Sequence, residues 1–423
     1  MTKITWKTER RKVADLIPAD YNPRKISEKE RADLTESIKE FSEVEPVVAN
    51  TNNHLIGGHQ RVSIYADLGI EEIDVRIPSR KLSTEEEMRL NLRLNKNTAS
   101  WDEEKLQDLN VNMLLDIGFG EDELAYLWNN LETENDGHKI EKEIEAAKKT
   151  EIKTGDMFQL GEHRLLCGDS TNETDVNKVM NGEKAGMVYC DPPYNIGLSY
   201  SGGIGTENKY QGTYKDNKKD ADYAEFLEET IRNAIRNAIR NALPDVHVFY
   251  WCDEKYIGMI QKIFEEEGID NKRVCLWIKN NQNPTPQIAF NKVYEPCVYG
   301  TRGRPYLNGN YRAFNEVLNK EVESGNQLQD DIQDLFNIWL VDRDSSKDYE
   351  HPTQKPITLH EKALKRCTGP GAIVIDLFGG SGSTLMACEQ MKRKCYTVEM
   401  SPIFCQVIIN RWEEYTGKKA KKL

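Results

Sequence analysis

Seven short apolar runs alternate with helical stretches through residues 163–416 of this chain, and that alternation constrains the fold more than anything else in it. The runs are HRLLCGD (163–169), GMVYCD (186–191), VHVFYWCD (246–253), RVCLWIK (273–279), EPCVYGT (295–301), AIVIDLF (372–378) and CYTVEM (395–400). Helical periodicity falls near 221–243, 254–268, 356–367, 381–393 and 401–416. The run IRNAIRNAIRNAL (231–243) repeats with period four and reads as one amphipathic helix. Continuous apolar strands need cover on both faces, and interleaved helices supply it. The pattern therefore predicts an α/β fold, a doubly wound sheet with helices on both faces. Ligands of such sheets sit beyond the carboxyl ends of the strands. Asp169, Asp191, Asp376 and Glu399 stand at or near such ends.

The first 150 residues do not share this rhythm. All nine cysteines lie after residue 166, which points to two different modules. None forms a CxxC pair, so neither a zinc site nor a disulfide framework is indicated, and no metal is expected. No apolar stretch approaches the ~20 residues of a membrane span. The amino terminus, MTKITWKTERRK, lacks the apolar core of a signal peptide, so the expected location is cytoplasmic, with no membrane partner. Net charge is −13. That argues against nucleic acid on average, but residues 271–312 hold seven basic residues and a single acid, Glu295, interleaved with Trp277, Phe290, Tyr294, Tyr299, Tyr306 and Tyr311. Such a mixture suits a DNA-facing surface, or a packed strand pair.

Two motifs carry chemistry. In MVYCDPPYNIG (187–197) an apolar run stops at Asp191, and Pro192 and Pro193 stiffen the turn that follows. The turn holds an acid, a carbonyl and the ring of Tyr194 in fixed relation. In DLFGGSGST (376–384) Gly379, Gly380 and Gly382 let the backbone approach a ligand closely. No Gly-Lys-Ser/Thr follows, so this is not a P-loop. Glu399, at the end of the next strand, can accept ribose hydroxyls from a nucleoside cofactor.

Asp376, the glycine turn, Glu399 and DPPY together resemble the S-adenosylmethionine-dependent amino-methyltransferases of DNA, over about residues 155–417. DPPY precedes FGGSGS, the order of that family's β class, and HPTQKP (351–356) stands where the class carries its donor-binding motif. The resemblance implies a site-specific enzyme with a Rossmann-like methyltransferase sheet, acting on double-stranded DNA. It would move a methyl group from S-adenosylmethionine to the N6 of a flipped adenine. Asp191, Pro192, Pro193 and Tyr194 would be catalytic: the Asp191 carboxylate and the Pro192 carbonyl accept hydrogen bonds from the two amino N–H groups, and the Tyr194 ring stacks on the base. Asp169, Thr353, Lys355, Asp376, Phe378, Gly379, Gly380, Gly382, Ser383 and Glu399 would bind the donor. Of these, Thr353 and Lys355 would lie near its methionyl end. Target readout would fall within 195–220 and 280–345. Cys297 follows a proline, as cytosine-C5 nucleophiles do, but it reads as a buried strand residue. Cytosine-N4 methylation is the nearest rival, and a non-catalytic DNA- or nucleotide-binding protein is the rival from another class.

NPRKI (22–26) and IGGHQRVSIYADLG (56–69) resemble the ParB/sulfiredoxin-like domain, an α+β fold. NLRLNKNTASWDEEKL (91–106) resembles sequences that follow this domain in phage-type fusions with methyltransferases. The resemblance implies a nucleotide-phosphate site at Gly57, Gly58, His59, Gln60 and Arg61, open to a nucleoside triphosphate. Free N–H groups at a helix start plus one guanidinium suit an anion; a tight turn with Arg61 in a surface ion pair is the simpler reading. The expected domains are 1–82, ParB/sulfiredoxin-like; 83–131, a helical extension; 132–150, a charged linker; and 151–423, the methyltransferase. Oligomeric state, target sequence and restriction partner are not legible.

Overall fold

The computed structural model describes residues 4–423 apart from 22–23, 26–27, 43–44, 96–99, 102, 108, 121–123, 125–126, 129–130, 138–139, 195–218, 241–244, 279–291, 309–336 and 342–354. The chain forms two compact units, Met1–Leu127 and Trp128–Leu423. Among the described residues no helix is long and apolar enough to cross a membrane.

The first unit is α+β. It runs β1 (Trp6–Lys12), β2 (Arg24–Lys25), α1 (Glu28–Phe41), β3 (Val47–Ala49), β4 (Leu55–Gly57), α2 (His59–Asp67), β5 (Glu72–Pro78), α3 (Thr84–Asn95), β6 (Ser100–Trp101), α4 (Glu103–Gln107) and α5 (Val111–Asp116). The main sheet has the order β1-β5-β3-β4. Ile73, Val75 and Ile77 alternate along β5 with more exposed residues, so one face is buried. Ile38 of α1 and Val62, Ile64 and Tyr65 of α2 pack in that core. Helix α3 docks through polar groups. Asn91 Nδ2 donates to the Ile56 carbonyl at 2.6 Å, and buried Glu87 accepts from Asn50.

The second unit continues with α6 (Ile140–Ala147), β7 (Met157–Leu160), β8 (His163–Cys167), α7 (Glu173–Met180), β9 (Met187–Cys190), α8 (Asp220–Arg240), β10 (Val246–Trp251), α9 (Ile257–Glu266), β11 (Asp270–Ile278) and β12 (Tyr294–Arg302). Then follow β13 (Ile338–Leu340), α10 (Thr358–Cys367), β14 (Ile373–Asp376), α11 (Ser383–Gln390), β15 (Lys394–Glu399), α12 (Pro402–Thr416) and β16 (Lys421–Lys422). One sheet takes the order β13-β11-β12-β10-β9-β14-β15-β8-β7-β16. Its five middle strands, β10 to β8, are parallel. The pairs β10–β12, β11–β12, β7–β8 and β7–β16 are antiparallel.

Period-two alternation sends Val188 and Cys190 to one face and Met187 and Tyr189 to the other, and all four are buried. On the first face lie Val176 and Val179 of α7, Tyr223 and Leu227 of α8, and Ile260 and Phe264 of α9. On the second lie Leu359 and Leu364 of α10, Leu385 of α11, and Ile408 and Trp412 of α12. The α/β sheet covered on both sides is thus present, with helices close to the expected ranges.

The expected linker at 132–150 is instead a packed part of the second unit. Ile144 and Ala147 of α6 are buried against Val407 of α12. The Thr133 N–H and hydroxyl donate to Glu361 at 2.6 and 2.8 Å. Asp136 takes the buried Arg411 guanidinium through Nε at 2.5 Å and Nη2 at 2.8 Å. The segment's charges pointed to solvent exposure, but their partners lie more than 200 residues downstream and leave no local trace.

The described residues of the basic stretch 271–312 fall largely in the strand pair β11–β12. Trp277 is buried, and its Nε1 donates to the Val341 carbonyl at 2.9 Å. Tyr299 stacks on Phe249 at 4.5 Å. These rings are core, not a platform for bases. Phe290 and Tyr311 lie outside the described residues, as do most of 195–220 and 280–345.

Candidate functional site

The strand order creates the crevice. From β9 the chain proceeds to β10 on one side; from β14 it proceeds to β15 on the other. Neighbours β9 and β14 thus diverge at their carboxyl ends, the switch point where doubly wound sheets hold ligands. An acid stands at each end in sheet order: Asp253 after β10, Asp191 after β9, Asp376 closing β14, Glu399 closing β15, and Asp169 just beyond β8. Strands lie about 4.8 Å apart, so Asp191 and Glu399 are separated by roughly two strand spacings, about 10 Å.

On the Asp191 side the turn is tied down by side chains from distant elements. The Tyr194 hydroxyl donates to Asp191 Oδ1 at 2.9 Å and also reaches Glu295 Oε2 at 3.3 Å. Lys355 Nζ donates to Asp191 Oδ2 at 2.5 Å and to the Tyr194 oxygen at 2.8 Å. Tyr223, from α8, donates its hydroxyl to the Pro193 carbonyl at 2.5 Å. Burial and the neighbouring Asp191 charge push the Tyr194 phenol well above its usual range, so it stays a donor. Lys355 was expected beside the donor's methionyl end; here it sits against the DPPY turn, only 5% exposed, over the rings of Trp251 and Tyr194.

On the other side the glycine turn folds back on Glu399. The Gly380 N–H donates to Glu399 Oε2 at 2.8 Å, and the Ser401 N–H to Oε1 at 2.7 Å. A Cβ on Gly379 would meet Thr397 Oγ1 at 2.8 Å and Ile408 Cδ1 at 3.0 Å, so only glycine lets the turn lie this close to β15. Gly382, at φ +83°, caps α11. Its first turn frees N–H groups toward the crevice. Burial raises Glu399 to about 6 and the buried Asp376 to about 8. The Phe378 N–H donates to Asp376 Oδ1 at 3.0 Å and partly offsets that rise. The Phe378 ring meets Phe226 edge-on at 6.0 Å. A half-buried apolar ring, a closely approached backbone and an acid closing the next strand together fit a nucleoside-type donor.

Of the other expected donor contacts, two have partners within the chain and one lies outside the described residues. Asp169 accepts from the Thr171 N–H and hydroxyl at 2.9 and 2.7 Å, a local cap that uses one of its two oxygens. Ser383 Oγ pairs with His360 Nε2 at 2.9 Å; burial lowers that imidazole to about 3, so it is neutral. Thr353 lies outside the described residues. Cys297 is fully buried and its thiol is pushed up by burial, as a structural cysteine's would be. All nine cysteines are free and buried.

In the first unit, a recess beside the start of α2 is lined by Leu34, Glu45, Gly58, His59, Gln60, Arg61 and Asn95. Gly58 stands at φ +89° as the helix N-cap. Arg61 is engaged internally, with Nη1 at 2.6 Å from the Glu45 carbonyl and 3.0 Å from its carboxylate. His59 Nε2 accepts from the Ala19 N–H at 3.3 Å, and burial lowers its imidazole to about 4. Gly57, at the end of β4, packs against Leu94.

Sequence reasoning missed Glu295, Tyr223, Asp136 and Arg411. Only Glu295 carried a signal, as the single acid of a basic stretch.

A family model described as DNA methylase matches residues 185–410, and one described as ParB N-terminal domain matches 7–97. Type II methyltransferase M.HpaI of Haemophilus parainfluenzae is 24% identical over 261 residues, 60% of this chain and 76% of that protein. Type II methyltransferase M2.DpnII of Streptococcus pneumoniae is 26% identical over 246 residues, covering 55% and 84%. Among solved structures, a complex of M1.HpyAVI with SAM shares 20% identity and a TM-score of 0.39, over 58% of this chain and 98% of that one. The matched region holds the DPPY turn, the glycine turn and Glu399, and the chain belongs to the DNA methylase family.

Proposed function

We propose that this DNA methyltransferase acts on the exocyclic N6 of adenine in double-stranded DNA, with S-adenosylmethionine as methyl donor. The observation that carries the reading is the position of the DPPY turn, at the end of β9, one strand from Asp376 and two from Glu399. Glu399 would hold the ribose, the glycine turn and Phe378 the nucleoside body, and Asp376 the environment of the cationic end. The donor supplies an electrophilic methyl group, so the chain need only prepare the nitrogen.

It does so by taking hydrogen bonds. An exocyclic amino group is a poor nucleophile because its lone pair is delocalised into the ring. Asp191 retains lone pairs beyond those used by Tyr194 and Lys355, and it accepts a hydrogen bond from one amino N–H. Tyr223 holds the turn by donating to the Pro193 carbonyl, and the Pro192 carbonyl would be the second acceptor. Two acceptors fixed by proline geometry favour a pyramidal nitrogen, and pre-set geometry lowers the barrier. Flipping the base costs a few kcal/mol, which stacking offsets in part.

Methyl transfer to mixed DNA followed by nucleoside mass spectrometry tests this. N6-methyladenine is expected; N4-methylcytosine alone would overturn the adenine assignment. Asp191→Ala should abolish turnover and leave donor binding nearly unchanged. For the first unit we propose a nucleoside triphosphate at the α2 start, Arg61 exchanging Glu45 for phosphate. Calorimetric titration should show binding that weakens with salt and drops in Arg61→Ala; no heat with any triphosphate would remove the site.

A further inference from the structure

Lys355 is a buried cation shared by two carboxylates. Its Nζ lies 2.5 Å from Asp191 Oδ2 and 3.4 Å from Glu295 Oε2. The surroundings are aromatic: Nζ is 4.8 Å from the Trp251 ring centroid and 5.1 Å from that of Tyr194. Glu295 projects from β12, two strands from β9 across β10, and its side chain is 18% exposed. Tyr194 couples the same groups a second time, its hydroxyl lying 2.9 Å from Asp191 and 3.3 Å from Glu295.

An ammonium this close to Asp191 sets its orientation but also weakens it as an acceptor. A one-to-one ion pair among buried rings would carry no net charge, and the carboxylate in it would accept a weaker hydrogen bond from an amino N–H. Charges are screened poorly there, so a third charge counts. With Glu295 present, two carboxylates share one ammonium and a net negative charge remains.

We infer that Glu295 is a positioning residue for methyl transfer: it draws off part of the Lys355 charge, so that Lys355 can orient Asp191 without cancelling it. The inference rests on the reading that Asp191 receives the base's amino group. It gives a role to the lone acid of the basic stretch, and it assigns Lys355 to the base side of the crevice.

The test is a charge-compensation cycle in the full chain, with donor affinity and single-turnover rate measured separately. Glu295→Gln keeps shape and hydrogen bonding but leaves Asp191 in a one-to-one, neutral pair with the ammonium. Its methyl-transfer rate should fall on the order of tenfold, with donor Kd within about twofold of wild type. Glu295→Asp should retain more activity than Glu295→Gln. Adding Lys355→Met to Glu295→Gln removes the ammonium and restores a net negative charge, and the double variant should transfer faster than Glu295→Gln alone, a non-additivity that simple loss of packing would not give. A Glu295→Gln rate equal to wild type would overturn the proposal, as would a double variant slower than Glu295→Gln. If the double variant does not fold, the comparison of Glu295→Asp with Glu295→Gln decides: equal rates overturn the proposal. No transfer by the wild type would instead overturn the activity reading, and this inference with it.

Discussion

Asp376 and Glu399 are two carboxyls with different environments and different pH consequences. Both are raised above their ordinary values by burial, Asp376 to about 8 and Glu399 to about 6. A carboxyl with a raised folded-state pKa favours the fold below its unfolded value, and that stability is lost as pH rises through the folded value. The protein without donor should therefore unfold at progressively lower temperature as pH rises from about 4, near the unfolded carboxyl value, to about 8, and level off above that. Asp376→Asn should remove part of that fall in a thermal melt at pH 8. A cationic donor favours the ionised form of Asp376, so donor binding near pH 7 should release protons. Binding heats measured in buffers of different ionisation enthalpy will show this as a buffer-dependent slope, and Asp376→Asn should flatten it. As an acceptor for ribose hydroxyls Glu399 must be ionised, so donor affinity should fall as pH drops through about 6.

At the scale of elements, the glycine turn and β15 form one device. Gly379 is pressed against Thr397 and Ile408, and the next residue's N–H anchors Glu399. Gly379→Ala inserts a methyl where backbone and side chains already touch, and overpacking of this kind costs about 1–3 kcal/mol. It should also push the Gly380 N–H off Glu399, so donor affinity and melting temperature should fall together. Gly380→Ala meets nothing nearer than 3.9 Å and strains only a φ of +50°, so its melting temperature should fall less. Equal melting temperatures for the two variants would show that the turn relaxes away from β15 freely.

At the scale of the molecule, the boundary of the catalytic unit moves. A fragment beginning at 151 discards Asp136, the partner of a buried guanidinium whose Nη1 also holds the Ser381 carbonyl of the glycine turn at 2.9 Å. Breaking a buried pair by removing one partner costs about 3–5 kcal/mol. Residues 128–423 should therefore fold and bind donor, while 151–423 should melt lower and bind donor more weakly. Asp136→Ala in the full chain should reproduce much of that loss.

DPPY and FGGSGS were legible in the sequence because their information is local: prolines stiffen a turn, glycines open one, and both lie where an apolar run ends. The strands were legible because burial on both faces needs continuous apolar residues. Which acids face one another was not legible. Strands β8, β9, β10, β14 and β15 come in that order along the chain, but the sheet orders them β10-β9-β14-β15-β8. That order comes from helix cover and strand pairing between residues far apart, and it alone sets Asp191 beside Asp376. The same holds for Lys355 on Asp191 and Asp136 on Arg411, 164 and 275 residues apart. Sequence alone determined the chemistry available to this protein; tertiary structure decided which groups share a crevice, because a buried charge is defined by its partner and no local pattern encodes that partner.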